Sequence, residues 1–246
     1  MPRSQVGRYI PPEHGAWAML LVPFLLGTLS AAPSWWSLLL LITWLTAYLA
    51  SYFAVRWLKT RRLSHRGARF RTPALAYAGV FAVGGTVLAA ADPWLLLAAA
   101  AMAPFEAVAV AFALRGDERS WVAGAASATA ASLMAPVSYA VAGGDDRTLG
   151  ATLLVICWMA FVGAVLHVKS TIRERDDARY RWASIGFHTA ALVVAALISP
   201  LLLVPFGYLL ARAVLVPRQG WRPARIGAVE IVGAVLVLVV PLIASL

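Results

Sequence analysis

The chain has 246 residues, 61% of them hydrophobic and 13% charged, with a mean hydropathy of +0.78 and a formal net charge of +10. So little polar surface excludes a soluble domain of this length. The single cysteine, Cys157, excludes an intrachain disulfide, a CxxC redox pair and a cysteine-rich zinc site.

Arg3 and Arg8 precede a first apolar segment at about residues 16–31. Ser30-Ala31-Ala32 would suit signal-peptide cleavage, but Glu13-His14 sit awkwardly against a signal core, so the segment is expected to remain as a span. Further apolar segments follow at about 35–57, 74–91, 94–114, 121–142, 149–168, 182–198, 200–216 and 226–246. Each is near the roughly 20 residues that cross about 30 Å of hydrocarbon as helix. Two pairs of segments run together, broken only at Asp92-Pro93 and Ser199-Pro200. Each pair is twice a spanning length, and proline after a polar residue suits a tight turn, so both are split. The expectation is an all-α integral membrane protein of about nine transmembrane helices, forming one polytopic domain over residues 1–246.

Short cytoplasmic loops retain Lys and Arg, which tests this count independently. With nine spans, 20 of the 21 Lys and Arg fall on one side, and Arg147 alone falls opposite. Merging either ambiguous pair would scatter them. The N-terminus is therefore expected inside and the C-terminus outside. Topology accounts for where the cations lie, and anionic inner-leaflet lipid accounts for their excess, so membrane lipid and not nucleic acid is the expected partner.

Ionisable groups inside the spans are costly and mark cavities, partners or function. Glu106 is the deepest acid, and Pro104 two residues earlier can open backbone carbonyls toward a cavity. Arg212 is expected to snorkel to the headgroups, Glu230 to pair with Arg225 or another interfacial cation, and His188 to hydrogen-bond a neighbouring helix. His14 and His167 lie at span ends.

Two long basic loops follow the second and sixth spans. In the first, Tyr52, Arg56 and Lys59 share a helix face, followed by Arg61, Arg62, His65, Arg66, Arg69 and Arg71. In the second, helical spacing places His167, Ser170, Thr171, Glu174 and Asp177 along one face, with Lys169, Arg173 and Asp176 opposite. One reading makes both loops topological anchors laced with solvated salt bridges. The other makes them an anion pocket in which Arg56, Lys59, Arg69, Lys169 and Arg173 hold a phosphate or diphosphate. Acids among them would then donate protons or bind a divalent ion. Gly143-Gly144-Asp145-Asp146 lacks the remaining ligands of a calcium loop and reads as an outside turn.

The opening run Tyr9-Ile10-Pro11-Pro12-Glu13-His14-Gly15-Ala16-Trp17-Ala18-Met19, continued by Leu20-Leu21-Val22-Pro23-Phe24-Leu25-Leu26-Gly27, resembles the YwiC-like family of bacterial membrane proteins. That resemblance implies a multi-pass protein of the bacterial plasma membrane. More distantly, the chain resembles the UbiA superfamily of intramembrane prenyltransferases and cyclases. Members have nine helices with the N-terminus inside and polar motifs at the cytoplasmic ends of helices two and six, where the two basic loops fall here.

The superfamily's aspartates hold magnesium against a diphosphate. In Lys169-Ser170-Thr171-Ile172-Arg173-Glu174-Arg175-Asp176-Asp177 the matching acid is Asp177 alone, and Ser51-Tyr52-Phe53-Ala54 contains none. The loss weighs against magnesium and leaves Arg56, Lys59, Arg69 and Lys169 to neutralise a diphosphate directly. The resemblance implies a UbiA-like helical bundle and a transferase or cyclase acting on an isoprenoid (di)phosphate. His14, Glu106, Glu174 and Asp177 would act as acids or bases. Glu13, Tyr52, His167 and Ser170 would line the cavity, with Tyr77 and Trp158 among aromatics that stabilise carbocation charge. The alternative is a non-catalytic binder or transporter of a lipid or small anion.

Overall fold

The computed structural model describes residues 14–60 and 65–244, and all secondary structure among them is helical. In chain order the helices are α1 (His14–Leu29), α2 (Trp35–Thr60), α3 (His65–Ala91), α4 (Trp94–Leu114), α5 (Trp121–Ser132) and α6 (Met134–Val141). They continue with α7 (Arg147–Val168), α8 (Ala178–Ile198), α9 (Leu203–Leu215) and α10 (Pro223–Ile243). A π-helical turn, Lys169–Arg173, extends α7.

Both proline-marked turns are present. Leu95 N donates to Asp92 O at 3.2 Å in the turn between α3 and α4. Ser199 adopts extended backbone (φ −160°, ψ 135°) between α8 and the 3₁₀ turn that leads into α9. The segment expected as one helix over 121–142 is interrupted at Leu133. Pro136 explains the break, because its ring clashes with the Ser132 carbonyl four residues back and cannot donate to it.

Six helical stretches are long and apolar enough to cross a membrane: Trp35–Thr60, Arg69–Ala91, Trp94–Leu114, Arg147–Arg173, Ala178–Ile198 and Pro223–Ile243. Gly15–Leu29 and Pro200–Leu215 are shorter apolar helices. Large apolar side chains stand outward along them, including Val83, Leu97, Leu197 and Ile243, each more than two-thirds exposed. A patch of that extent is untenable in water and natural against lipid, so the chain is a membrane protein.

The helices are not equally central. In α7, 56% of the apolar window is buried, against 28% or less in the other five long stretches. It packs against α1, α5, α6, α8, α9 and α10, through Leu153, Ile156, Cys157 and Val162. The antiparallel pair α2 and α3 lies to one side, and α4, without a buried residue, closes that flank against α2, α3 and α5. Two close crossings depend on glycine. A Cβ at Gly27 would strike the Ala135 carbonyl and Ser138 Oγ on α6, and one at Gly163 would lie 2.9 Å from His188 Nε2 on α8.

Candidate functional site

Two polar regions stand out, one in each half of the chain. In the first half, α2 presents Tyr48, Ser51, Tyr52, Arg56 and Lys59 at helical spacing along neighbouring positions of one face. Ser51 Oγ donates to Glu106 Oε1 on α4 at 2.6 Å. Glu106 is exposed and about 12 Å, or eight residues, from the end of its helix. A charged group at such depth costs about 2.5–3.5 kcal/mol in hydrocarbon, and the Ser51 hydroxyl offsets part of such a cost.

Aromatic rings line the approach on the α1–α3 side. Trp17 meets Tyr48 edge-on at 6.2 Å, Tyr48 lies 6.3 Å from Tyr52, and Tyr52 meets Phe53 at 5.2 Å. Phe53 in turn stacks on Tyr77 at 5.9 Å and lies 6.4 Å from Phe70. Cations border this ladder. The Arg56 guanidinium stands over the Tyr52 ring at 4.6 Å, and Arg69 stands over Phe70 at 4.6 Å.

The two basic ends lie at the same end of the bundle, joined through the loop between α4 and α5. Lys59 Nζ donates to Glu118 Oε2 at 3.0 Å, and Arg173 Nη1 donates to the carbonyl of the next residue, Arg119, at 3.2 Å. The hydrogen bond from Lys59 holds the Glu118 carboxyl below its ordinary 4.5, outweighing a small opposing effect of burial. Lys169, nearly buried, lies 3.5 Å from Glu174 Oε1 and 4.9 Å from the Tyr180 ring centre.

The helix face expected to carry His167 through Asp177 does not persist. Ser170 Oγ donates to the His167 carbonyl at 2.9 Å, and Thr171 Oγ1 donates to the same carbonyl. This competes with the regular backbone ladder, which widens so that Glu174 N reaches Lys169 O at 2.8 Å. The helix ends there. Asp177 falls on the next element, where its carboxylate caps α8 by accepting from Arg179 N at 2.8 Å. His167 and Ser170 are buried. Glu13 lies outside the described residues, as does the side chain of His14 at the start of α1.

In the second half, α7–α10 enclose a polar centre that corrects the expectations for Arg212 and His188. Arg212 does not snorkel: it is 4% exposed, and its Nη1 pairs with Glu230 Oε1. Glu230 thus pairs with a cation as expected, Arg212 being the one, while the Arg225 guanidinium sits 4.0 Å over the Trp221 ring. The reason is antiparallel packing, which brings a residue near the end of α9 level with one two turns into α10. Two opposite intramembrane charges at similar depth from one end were the signal for this pair.

His167 Nε2 lies 3.5 Å from the same Glu230 oxygen. His188 Nδ1 donates to the Ser184 carbonyl at 2.7 Å, a bond within α8 and not to another helix as expected. Its Nε2 faces Gly163, one turn from His167 on α7. His167 Nδ1 and Nε2, His188 Nε2, Ser184 Oγ and Arg212 Nε are buried without a hydrogen-bond partner among the described residues.

At the opposite end of the bundle, a largely apolar cavity of about 320 Å³ lies between α4, α6 and α7, lined by Trp94, Met102, Val137 and Tyr139. Gly143 (φ +90°) forms the expected turn beside it, and Asp146 caps α7 by accepting from Thr148 N at 2.7 Å. Among the described residues, no group of three or more His, Cys, Asp or Glu is placed to hold a metal ion.

The model of the YwiC-like protein family matches residues 10–139, which include all the aromatic, basic and acidic residues of α1–α4 named above. The chain belongs to the YwiC-like family. Two similar proteins span nearly its whole length. An "Uncharacterized protein" of Haemophilus influenzae is 31% identical over 245 residues, covering 96% of this chain and 98% of the relative. The "Uncharacterized protein YwiC" of Bacillus subtilis is 30% identical over 251 residues, covering 94% and 95%. No solved structure matches.

Proposed function

We propose that this YwiC-like protein is a nine-span protein of the bacterial plasma membrane, N-terminus inside and C-terminus outside, that binds an amphiphilic anion in the α1–α4 cleft. The ligand class is an isoprenoid or related lipid (di)phosphate. One observation carries the reading: a ladder of aromatic rings runs from Trp17 to Tyr77, bordered by Arg56 and Arg69. Rings offer an apolar wall to a tail, and guanidinium groups offer bidentate partners to a phosphate head. The one-sided distribution of Lys and Arg supports the orientation. Nine helical segments at the nine expected positions, with α5 and α6 taken together, support the span count among the described residues.

In this reading Arg56 and Arg69 grip the head. Lys59, Lys169 and Arg173 also hold the α4–α5 loop and the π turn in place, through Glu118, Glu174 and the Arg119 carbonyl. This reading leaves neutralisation of the head to the arginines, whose forks match phosphate oxygens. A second reading, a UbiA-like transferase or cyclase, is favoured by Glu106. This carboxylate, held by Ser51 beside the ladder, is the group positioned to take a proton from a bound substrate.

The test is native and lipidomic mass spectrometry of the protein purified in mild detergent. Wild type is expected to retain a prenyl phosphate or isoprenoid lipid that Arg56→Gln loses. Turnover of that lipid by wild type but not by Glu106→Gln, with binding kept in both, would establish the catalytic reading. Recovery of bulk phospholipid alone, unchanged in Arg56→Gln, would overturn both.

A further inference from the structure

None of the residues of the α7–α10 centre belongs to the aromatic ladder or to the cations that border it. Its three basic side chains, His167, His188 and Arg212, are 0%, 1% and 4% exposed, yet each retains a nitrogen with no hydrogen-bond partner among the described residues. Buried polar atoms are almost always satisfied by protein, water or ligand. Here the unsatisfied atoms belong to helices that meet around one ion pair, Arg212–Glu230. Glu230 is the accessible member of that pair, with 19% of its side chain exposed against 3% for Arg212.

We propose that this centre is a proton-dependent binding site for a small carboxylate anion. With both histidines neutral the centre is electrically neutral, Arg212 positive and Glu230 negative. A proton entering alone would leave an uncompensated positive charge in a low-dielectric interior, and an anion alone would leave a negative one. Entering together, they conserve charge. The proton binds a Glu230 carboxylate oxygen, the ion pair separates, and the incoming carboxylate takes the place of Glu230 on the Arg212 fork. Release reverses both events.

Geometry selects a carboxylate, because the group now on Arg212 Nη1 is one, and a ligand of the same shape accepts the same donors. Arg212 Nε and the one N–H of neutral His167 supply further donors, while neutral His188, whose Nδ1–H is engaged by Ser184, offers Nε2 as an acceptor only. Other charged or titratable groups on the packed elements are Arg147 and Cys157 on α7, Arg179, Tyr180 and Arg181 on α8, and Tyr208 on α9, whose hydroxyl donates to Val229 O at 2.9 Å. On the π turn Lys169 is engaged by Glu174 and Arg173 by the Arg119 carbonyl. Arg218 lies on the 3₁₀ turn against the π turn, and Arg225 stands over Trp221. Helices α5 and α6 contain no Asp, Glu, Lys, Arg or His, and α1 contains only His14.

Calorimetric titration of the full-length protein in detergent, with acetate and with benzoate as probes, tests this between about pH 5 and pH 8. Wild type is expected to take up one proton per anion, read from two buffers of different ionisation enthalpy. Above the pH at which Glu230 ionises, affinity should fall about tenfold per pH unit. Glu230→Gln imitates the protonated acid, so it should bind the probe with no proton uptake and little pH dependence. Arg212→Gln should not bind. If it fails to fold, Arg212→Gln/Glu230→Gln, which removes both charges together, replaces it. Absence of binding by Glu230→Gln to either probe across this range, or equal binding by the variants lacking Arg212, would overturn the proposal.

Discussion

Replacing Arg212 with methionine keeps an unbranched chain in the same packing space and removes the partner of Glu230. Arg212 is 3% exposed at its side chain and Glu230 19%, so removing the arginine leaves a largely buried carboxylate without its cation. Breaking a buried pair from one side costs about 3–5 kcal/mol. For a chain of this length that corresponds to roughly 6–20 °C in melting temperature. Arg212→Met/Glu230→Leu removes both charges and should recover most of the loss, since apolar replacement of a buried pair is about neutral or stabilising. Thermal unfolding in one detergent at neutral pH, run on wild type, both single variants and the double variant, completes the cycle. A loss below about 1 kcal/mol for Arg212→Met, or a double variant equal to the sum of the singles, would refute the buried pair.

Gly163→Ala should destabilise by about 1–3 kcal/mol because the new methyl meets the His188 ring, which its bond to Ser184 prevents from swinging away. Adding His188→Ala should restore stability, and its failure to do so would place the conflict elsewhere. Gly27→Ala should cost more in the same melting assay, since its methyl meets the Ala135 backbone carbonyl and relief requires α1 and α6 to separate. Lys59→Met should cost less than about 1 kcal/mol, because its partner Glu118 is half-exposed. Glu118 has a depressed pKa, so this small stabilisation is present above the ordinary carboxyl value of 4.5 and disappears as pH falls through the folded-state value. It should also fade in high salt, and a large, salt-independent loss would contradict an exposed pair.

The residues of the polar region on α2 and α4 were partly legible in the sequence. Tyr52, Arg56 and Lys59 follow helical spacing, and Glu106 stood out as an acid in an apolar run. Their joining was not legible, because Ser51 and Glu106 lie on separate helices 55 residues apart, and spacing within one helix says nothing about its partner. The second basic loop misled for a local reason. Hydroxyl groups at Ser170 and Thr171 bond the His167 carbonyl, and the resulting π turn ends the face on which Asp177 was expected.

By itself the sequence determined the solvent of this protein, the positions of its helices and both proline-marked turns. Hydropathy and the missing proline N–H act within a few residues and need no tertiary partner. Tertiary structure decided what each intramembrane ionisable group does. An arginine three residues from a helix end can reach headgroups or a neighbouring acid, and only the depth and facing of α9 against α10 gave Arg212 to Glu230. The same holds for His188, whose place against α7 exists because residue 163 carries no side chain.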